Sequence, residues 1–328
     1  MENMKLRHVK SRSFNPWYNL SLEEYLLENI KKDEIILYLW QNENTVVIGR
    51  NQNAWKECAW QQLEEDGGKL ARRLSGGGAV YHDLGNLNFT FIMNKEDYNL
   101  EKQHSVIIDA LSKFNVKADF SGRNDMLIDG KKFSGHAYYT NNDKSYHHGT
   151  LMVNSDLEKL GYYLKPSEKK IKSKGIDSVR SRVTNIADTN SEVTIEKLKA
   201  SMDESFCKIY TGECTYEIYE LEVDPLIKIY DKYSSWEWRF GHSPKFDISY
   251  SEKFAWGEFE LQLSLKNGEI DDCKIYTDAM DAELFNGLEE KLKGCLLKKD
   301  MIKNIIVNFL KDENIKNDLS TWIDILEM

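Results

Sequence analysis

The dipeptide Asp129-Gly130 separates two strand-like runs inside "NDMLIDGKKFSGHAYYT" (124–140). Asp-Gly supplies the positive-φ positions of a tight hairpin turn, so this stretch is committed to an antiparallel strand pair. Other segments extend the pattern. "EIILYLWQ" (34–41) and "TVVIGRNQ" (45–52) read as strands with a polar turn at Asn42 to Asn44. "LNFTFIM" (87–93) and "SYHHGTLMVN" (145–154) add two more. Helical spacing predicts amphipathic helices over 20–30 and 103–116, and a helix over 53–67 stopped by Gly67 and Gly68. Helical patterns return at 194–210 and near 225–234. Strands and helices mix without regular βαβ spacing. The expected fold is therefore α+β, with a mixed, largely antiparallel sheet and flanking helices.

A polar-aromatic passage, "SSWEWRFGHSPKF" (234–246), reads as a linker. Beyond it the chain alternates clearly, turns at Asn267-Gly268, and shows helical patterns at 281–293 and 299–311. Two domains are expected: 1–246, carrying the candidate site, and 250–328, a small α+β accessory domain. The net charge of −10 argues against nucleic-acid binding, where phosphate neutralisation dominates affinity. No run of about 18 apolar residues and no signal-peptide core are present, so a cytoplasmic protein is expected. The five cysteines are odd in number and form no CxxC pair, which argues against a disulfide framework and a cysteine-rich zinc site. The stretch 165–182 carries seven basic residues against two acidic ones and reads as a basic loop.

Several segments hold chemistry. In "ARRLSGGGAVYHD" (71–83), glycines at 76–78 let a ligand approach backbone N–H groups, while Arg72, Arg73 and Ser75 offer anion-binding donors. Local composition leaves a bulged turn and an anion-holding loop both open. His82 and Asp83 would point to opposite faces of a strand, which favours a structural histidine. His147 and His148 are opposed in the same way, and no Cys/His cluster with zinc spacing lies near, so a non-metal role is expected for both, with one of them contacting the ligand or a backbone carbonyl. In "GRNDMLIDGKKFSGHAYY", Asn124 and Asp125 open one hairpin strand and Lys132 its return. A lysine there can stabilise charge developing between a carboxylate and a phosphate. Asp125 can orient that lysine or hold Mg²⁺. A plain surface hairpin remains the alternative. Cys58, in "WKECAWQQL", reads as a structural cysteine on a helix face.

Together these pieces resemble the lipoate–protein ligases of the bacterial two-domain type. The resemblance rests on Trp17 to Leu26, "TVVIGRNQNAWKEC", "ARRLSGGGAVYHDLGNLNFTF", "GRND", "KFSGHAY", "HHGTLMVN" and "KSKGIDSVRSRVTN", with "SSWEWRFGHSPKF" and "FAWGEFEL" further on. It covers nearly the whole chain, and the RRxSGGGAVxHD and KxSG signatures together are specific. It implies the fold shared with biotin protein ligases and class II aminoacyl-tRNA synthetases. It also implies activation of lipoate with Mg-ATP to lipoyl-AMP, followed by amide formation on a lysine of an acceptor. The acceptors implied are lipoyl domains of 2-oxoacid dehydrogenases and the glycine-cleavage H protein.

The resemblance assigns roles by motif. Arg73, Ser75, Gly76, Gly77, Gly78, Ala79, Val80 and Tyr81 would line the nucleotide and lipoyl site. Lys132 would contact the lipoate carboxylate and the α-phosphate. Asn124 and Asp125 would support nucleotide or Mg²⁺, with Asp125 the metal residue, and His148 would lie near the ligand. The loop 165–182 would close over the adenylate. Competing readings are an octanoyl or lipoyl transferase working through a cysteine thioester, and a non-catalytic lipoyl-binding protein. A biotin ligase fits less well, because its loop carries a different arginine-glycine pattern. A monomer is expected.

Overall fold

The computed structural model describes residues 4–121, 124–164, 182–219, 224–241 and 246–326. Contacts divide the chain into two compact units. The first contains 1–48, 54–73 and 79–239; the second contains 49–53, 74–78 and 240–328.

The first unit is built on an eight-stranded mixed sheet. In chain order its strands are β1 (Lys5–Ser11), β2 (Glu34–Trp40), β6 (Asn86–Asn94), β7 (Asp119–Ser121), β8 (Asp125–Ile128), β9 (Lys131–Asn141), β10 (Lys144–Met152) and β11 (Glu213–Tyr219). Their spatial order is β11-β1-β2-β6-β10-β9-β8-β7. Only the β11-β1 and β1-β2 pairs are parallel among these, and the others are antiparallel. The β8–β9 turn falls at Asp129 and Gly130, whose φ values of 49° and 77° are those the dipeptide was expected to supply.

Two layers cover this sheet. On one face lie the helices Leu100–Ser112 and Ile195–Tyr210, which bury Leu37, Leu39, Phe89, Phe91 and Met93 against Val106, Ile107, Met202 and Phe206. On the other face lies the helix Pro16–Asn29, capped by the Asn15 side chain and opened by proline at its first position. A small sheet also belongs to this unit: β3 (Thr45–Ile48) between β4 (Lys69–Arg72) and β5 (Val80–His82).

Four details depart from the sequence-based expectation. First, β2 and β3 enter different sheets. The Asn19 amide donates to Gln41 O at 2.8 Å and to Asn42 Oδ1 at 2.9 Å, which fastens the connection to the helix instead of a hairpin. Second, the helix expected over 53–67 is broken into Ala54–Glu57 and Trp60–Glu65. Cys58 forms a β-bridge with Leu164, and the Ala59 N–H donates to Tyr163 O, bonds that a continuous helix could not make. Third, Cys207 and Cys214 form a disulfide, because β11 returns alongside β1 and brings Cys214 back to the end of the helix that carries Cys207. The odd count of five did not exclude one pair. Fourth, the stretch read as a linker includes the short helix Trp236–Phe240.

The second unit contains the antiparallel sheet β12 (Ile248–Phe254), β13 (Gly257–Lys266) and β14 (Glu269–Thr277). Its β13–β14 turn uses Asn267 and Gly268 at φ 54° and 81°. The helices Leu288–Leu292, Lys299–Phe309 and Glu313–Ile325 pack Leu288, Ile302, Ile306, Leu319 and Ile323 against Phe259, Leu261 and Leu263. The helical pattern at 281–293 thus becomes one short helix at its end.

Candidate active site

The strand β9 explains the spacing of its Lys-Phe-Ser-Gly. Leu127 pairs with Lys132 and Met126 with Ser134, so Phe133 is an extra residue, a β-bulge. Phe133 is buried in the helix-covered core. The bulge puts Lys132 on the same side as Gly135, three residues on. A side chain at 135 would begin 2.9 Å from Lys132 Nζ. Glycine there leaves the lysine room to lie across the strand. The Lys132 ammonium is paired with Asp125 Oδ1 at 2.7 Å, both side chains about a third exposed. The Gly135 N–H donates to Thr150 Oγ1 on β10 at 3.1 Å. Asn124 accepts the His136 N–H through its main-chain carbonyl at 2.8 Å. The main chain of Lys132 is bonded in turn: its N–H donates to Arg182 O, and its carbonyl accepts from Thr184 N.

Further across the same face, the helix Pro16–Asn29 brings down a buried carboxylate. Glu23 Oε1 accepts from Thr90 Oγ1 at 2.7 Å and bonds His148 Nδ1 at 2.8 Å. Trp40 Nε1 donates to Thr90 Oγ1 at 3.0 Å. A carboxylate can only accept, so it holds the proton of His148 on Nδ1. Tyr146 packs its ring 4.7 Å from that of His148. Arg73, the residue after β4, is buried beside this group and donates from Nη1 to Val47 O at 3.2 Å. Burial lowers its pKa to about 10, against the opposing pull of Tyr146 and Glu23. The guanidinium is still charged at neutral pH, so the protein keeps a cation in a dry place.

His82 follows the structural reading. Its Nδ1 bonds the Asn42 amide at 3.1 Å. Burial, then the charge of Arg73, then His148 push its pKa down to about 3. Asp83 spends its oxygens on Gly85 N–H and Asp156 N–H. Tyr81 donates its hydroxyl to Asn44 Oδ1 at 3.0 Å and packs on Tyr163. Val80 and Ala79 precede it in the first unit.

The glycine loop belongs to the second unit. Gly77, at φ 86°, donates its N–H to Ala279 O at 3.0 Å. A Cβ at Gly76 would collide with the carbonyls of Ala279 and Met280. Ser75 is buried and accepts the Arg50 N–H through its carbonyl at 2.9 Å. Gly78 faces open space. Glycine at 76 thus allows close backbone packing, and glycine at 77 supplies a positive φ. The basic loop 165–182, apart from Arg182, and residues 122–123 of the Gly-Arg-Asn-Asp segment lie outside the described residues.

Sequence reasoning brought forward Arg73, Asp125, Lys132 and His148 but passed over Glu23, Trp40, Thr90, Tyr146 and Thr150. One signal for them exists. The strand "NLNFTFIMN" alternates polar and apolar, yet eight of its nine residues are buried. A central strand whose polar face is also buried is lining something polar.

These groups form a buried polar site on one face of an eight-stranded mixed sheet, and comparison with known proteins specifies its class. The model of the lipoyl protein ligase A/B catalytic domain matches residues 15–207, and that of the bacterial lipoate protein ligase C-terminus matches 243–325. The chain belongs to the lipoate–protein ligase family. It is 43% identical over 297 residues, 88% of each chain, to lipoate-protein ligase A of Blochmanniella floridana. Among solved structures it is similar to P. falciparum LipL1 in complex with lipoate, at a TM-score of 0.83 and 32% identity over 97% of this chain and 99% of that one. A lipoate-protein ligase A bound with ATP matches at a TM-score of 0.63 and 25% identity, over 74% of this chain and 99% of that one. The bipartite ligase of Thermoplasma acidophilum, studied with its E2 lipoyl domain, matches at 0.66 and 27%, over 75% and 100%.

Proposed function

We propose that this ligase joins lipoate to ATP as lipoyl-AMP, releases pyrophosphate, and passes the lipoyl group to a lysine of an apo acceptor domain. The observation that carries the reading is Lys132, its ammonium paired with Asp125 and laid over the bare Cα of Gly135. In the first step a carboxylate oxygen of lipoate attacks the α-phosphorus, and the bond from that phosphorus to the pyrophosphate oxygen breaks. Two anions must approach, and a fixed ammonium between them offsets their repulsion as charge develops. In the second step the acceptor ε-amine attacks the acyl carbon, the carbon–oxygen bond to AMP breaks, and the amine gives up a proton. The same ammonium stabilises the departing phosphate.

Arg73 supplies a second, buried positive charge for the carboxylate or the adenylate, and His148 presents a ring oriented by Glu23. Ala79, Val80, Tyr81 and Asn124 are assigned to the nucleotide side, and Ser75 with Gly76 to Gly78 to ligand binding, on the family resemblance. A Mg²⁺ held mainly by nucleotide phosphates needs one or two protein carboxylates, and the donor chemistry of Asp125 fits it. Such an ion would supply further charge neutralisation on ATP. Lipoyl domains and the glycine-cleavage H protein are the proposed acceptors; the T. acidophilum ligase, studied with its E2 lipoyl domain, supports the first. Residues 1–246 are assigned to catalysis and 250–328 to an accessory role, in a cytoplasmic monomer.

A thioester route through cysteine is disfavoured. Cys58 is buried within its β-bridge, and burial pushes the Cys273 thiol up to about 12 and raises that of Cys295 as well. The deciding experiment is lipoylation of a panel of apo lipoyl domains with pyrophosphate release measured in parallel. Lys132→Ala is expected to lower the rate of adenylation about 10²–10³-fold, the scale for losing one transition-state charge partner. Full activity in that variant would remove the mechanism, and acyl transfer without ATP would return the thioester route.

A further inference from the structure

Three histidines meet on the face of the large sheet opposite Lys132 and His148. His104 comes from the helix Leu100–Ser112, His136 from β9 and His147 from β10. One ring nitrogen from each lies within 4.8 Å of the other two, and all three residues are buried. The β9 bulge that turns Lys132 to the first face turns His136 to this one. Residue alternation on β10 does the same for His147, whose neighbour His148 bonds Glu23.

We propose that His104, His136 and His147 form a binding site for one late first-row divalent metal ion of the zinc class. Three imidazoles without a thiolate or carboxylate among them are the donor set that suits zinc, copper or nickel rather than magnesium or calcium. Two of the rings are already oriented from behind, as metal-ligating histidines require. His147 Nδ1 bonds Gln103 Oε1 at 2.7 Å, and an amide oxygen can only accept. The proton is therefore on Nδ1, and Nε2 carries a lone pair. His136 Nε2 bonds Ser134 Oγ at 2.9 Å, and its Nδ1 meets His147 Nε2 at 2.6 Å. Without metal, the Ser134 hydroxyl donates to His136 Nε2, and the Nδ1 proton of His136 bridges to His147. With metal, that proton moves to Nε2 and the serine hydroxyl turns to accept it. Both lone pairs then face the ion, and no proton leaves the site.

The third ring supplies the second line of support. His104 Nε2 is buried and has no hydrogen-bond partner. An orphaned imidazole nitrogen costs stability unless something binds it, and His104 is one of the three residues whose ring nitrogens converge. Burial lowers the pKa of all three rings, which keeps them neutral and able to ligate. Phe120, partly exposed, stacks on His104 at 4.0 Å. A cation in the site is thereby walled by aromatic rings, with Phe89 and Phe91 packed on His147 behind it.

The test uses the full chain, stripped with a chelator and dialysed against metal-free buffer. Zn²⁺ titration by calorimetry and the visible spectrum of the Co²⁺ form are the readouts. One ion per chain and an intense four-coordinate Co²⁺ spectrum are expected. His104→Gln, at the most accessible of the three rings, should abolish the spectrum while circular dichroism stays unchanged. Gln103→Leu, which leaves all three ligands in place, should weaken binding 10- to 100-fold. A second cluster, His8 with Cys207 and Cys214, can ligate only when its disulfide is reduced, so the titration is run with and without reductant and this cluster gives the control. Binding that survives His104→Gln but is lost in Cys207→Ser would overturn the proposal, as would absence of saturable binding by the wild-type chain.

Discussion

At the scale of single residues, two substitutions separate fold from chemistry. A methyl at 135 would first meet the far end of the Lys132 side chain, 2.9 Å from Nζ and 3.1 Å from Cε. The lysine can swing away, so Gly135→Ala should change stability little. It should lower the adenylation rate about 10²-fold, the scale on which a displacement near 1 Å acts. Steady-state kinetics beside a denaturant melt would check both halves. His82 makes a different prediction. Its pKa of about 3 lies below the unfolded value of 6.5, so between those pH values the unfolded chain binds the extra proton. Stability should then fall as pH drops from 6.5 toward 3, with this group contributing about 1.4 kcal/mol per pH unit. Ring ¹⁵N shifts should show a neutral imidazole at pH 5, and a ring protonated at that pH would contradict the assignment. The Lys-Phe-Ser-Gly string was recognisable in the sequence, but not that Phe133 is a bulge. A bulge depends on which partner residues β8 offers.

At the scale of elements, turns were the most legible part. Asp129-Gly130 and Asn267-Gly268 both adopt the positive φ that their chemistry suits, because a two-residue turn is decided by local sterics. A Cβ at Gly130 meets nothing within 4 Å, so only backbone strain opposes a substitution there. Gly130→Ala should cost about 1 kcal/mol by equilibrium unfolding and leave substrate KM unchanged. A rise in KM would mean that the turn also sets the position of Lys132. The helix expected over 53–67 shows the limit of periodicity. Its apolar spacing is helical, yet the bonds of Cys58 to Leu164 and of Ala59 to Tyr163 come from residues a hundred positions on. The Cys207–Cys214 pair is similar: parallel pairing of β1 with β11 creates the neighbourhood, and no spacing rule anticipates it.

At the scale of the whole molecule, ligand binding should appear as stability. A tightly held adenylate binds only the folded chain, so lipoate with ATP should raise Tm more than either alone, by about 2.7 kcal/mol of stabilisation for each 100-fold excess over Kd. Lys132→Ala should lose the extra increment while keeping the shift from each substrate. Equal shifts in both proteins would place the synergy elsewhere. No helix among the described residues is long and apolar enough to cross a membrane. The sequence by itself determined the hairpin turns at Asp129-Gly130 and Asn267-Gly268, several of the strands and the α+β class, which depend on neighbours within a few residues, and, through its ordered motifs, the family. Only the tertiary structure decided that Glu23, Arg73, His82 and His148, from different elements, share one buried polar face. It alone brought His104, His136 and His147 together on the other. Alternation says that a strand has two faces. Which polar face is buried, and beside what, follows from the layer that packs on it.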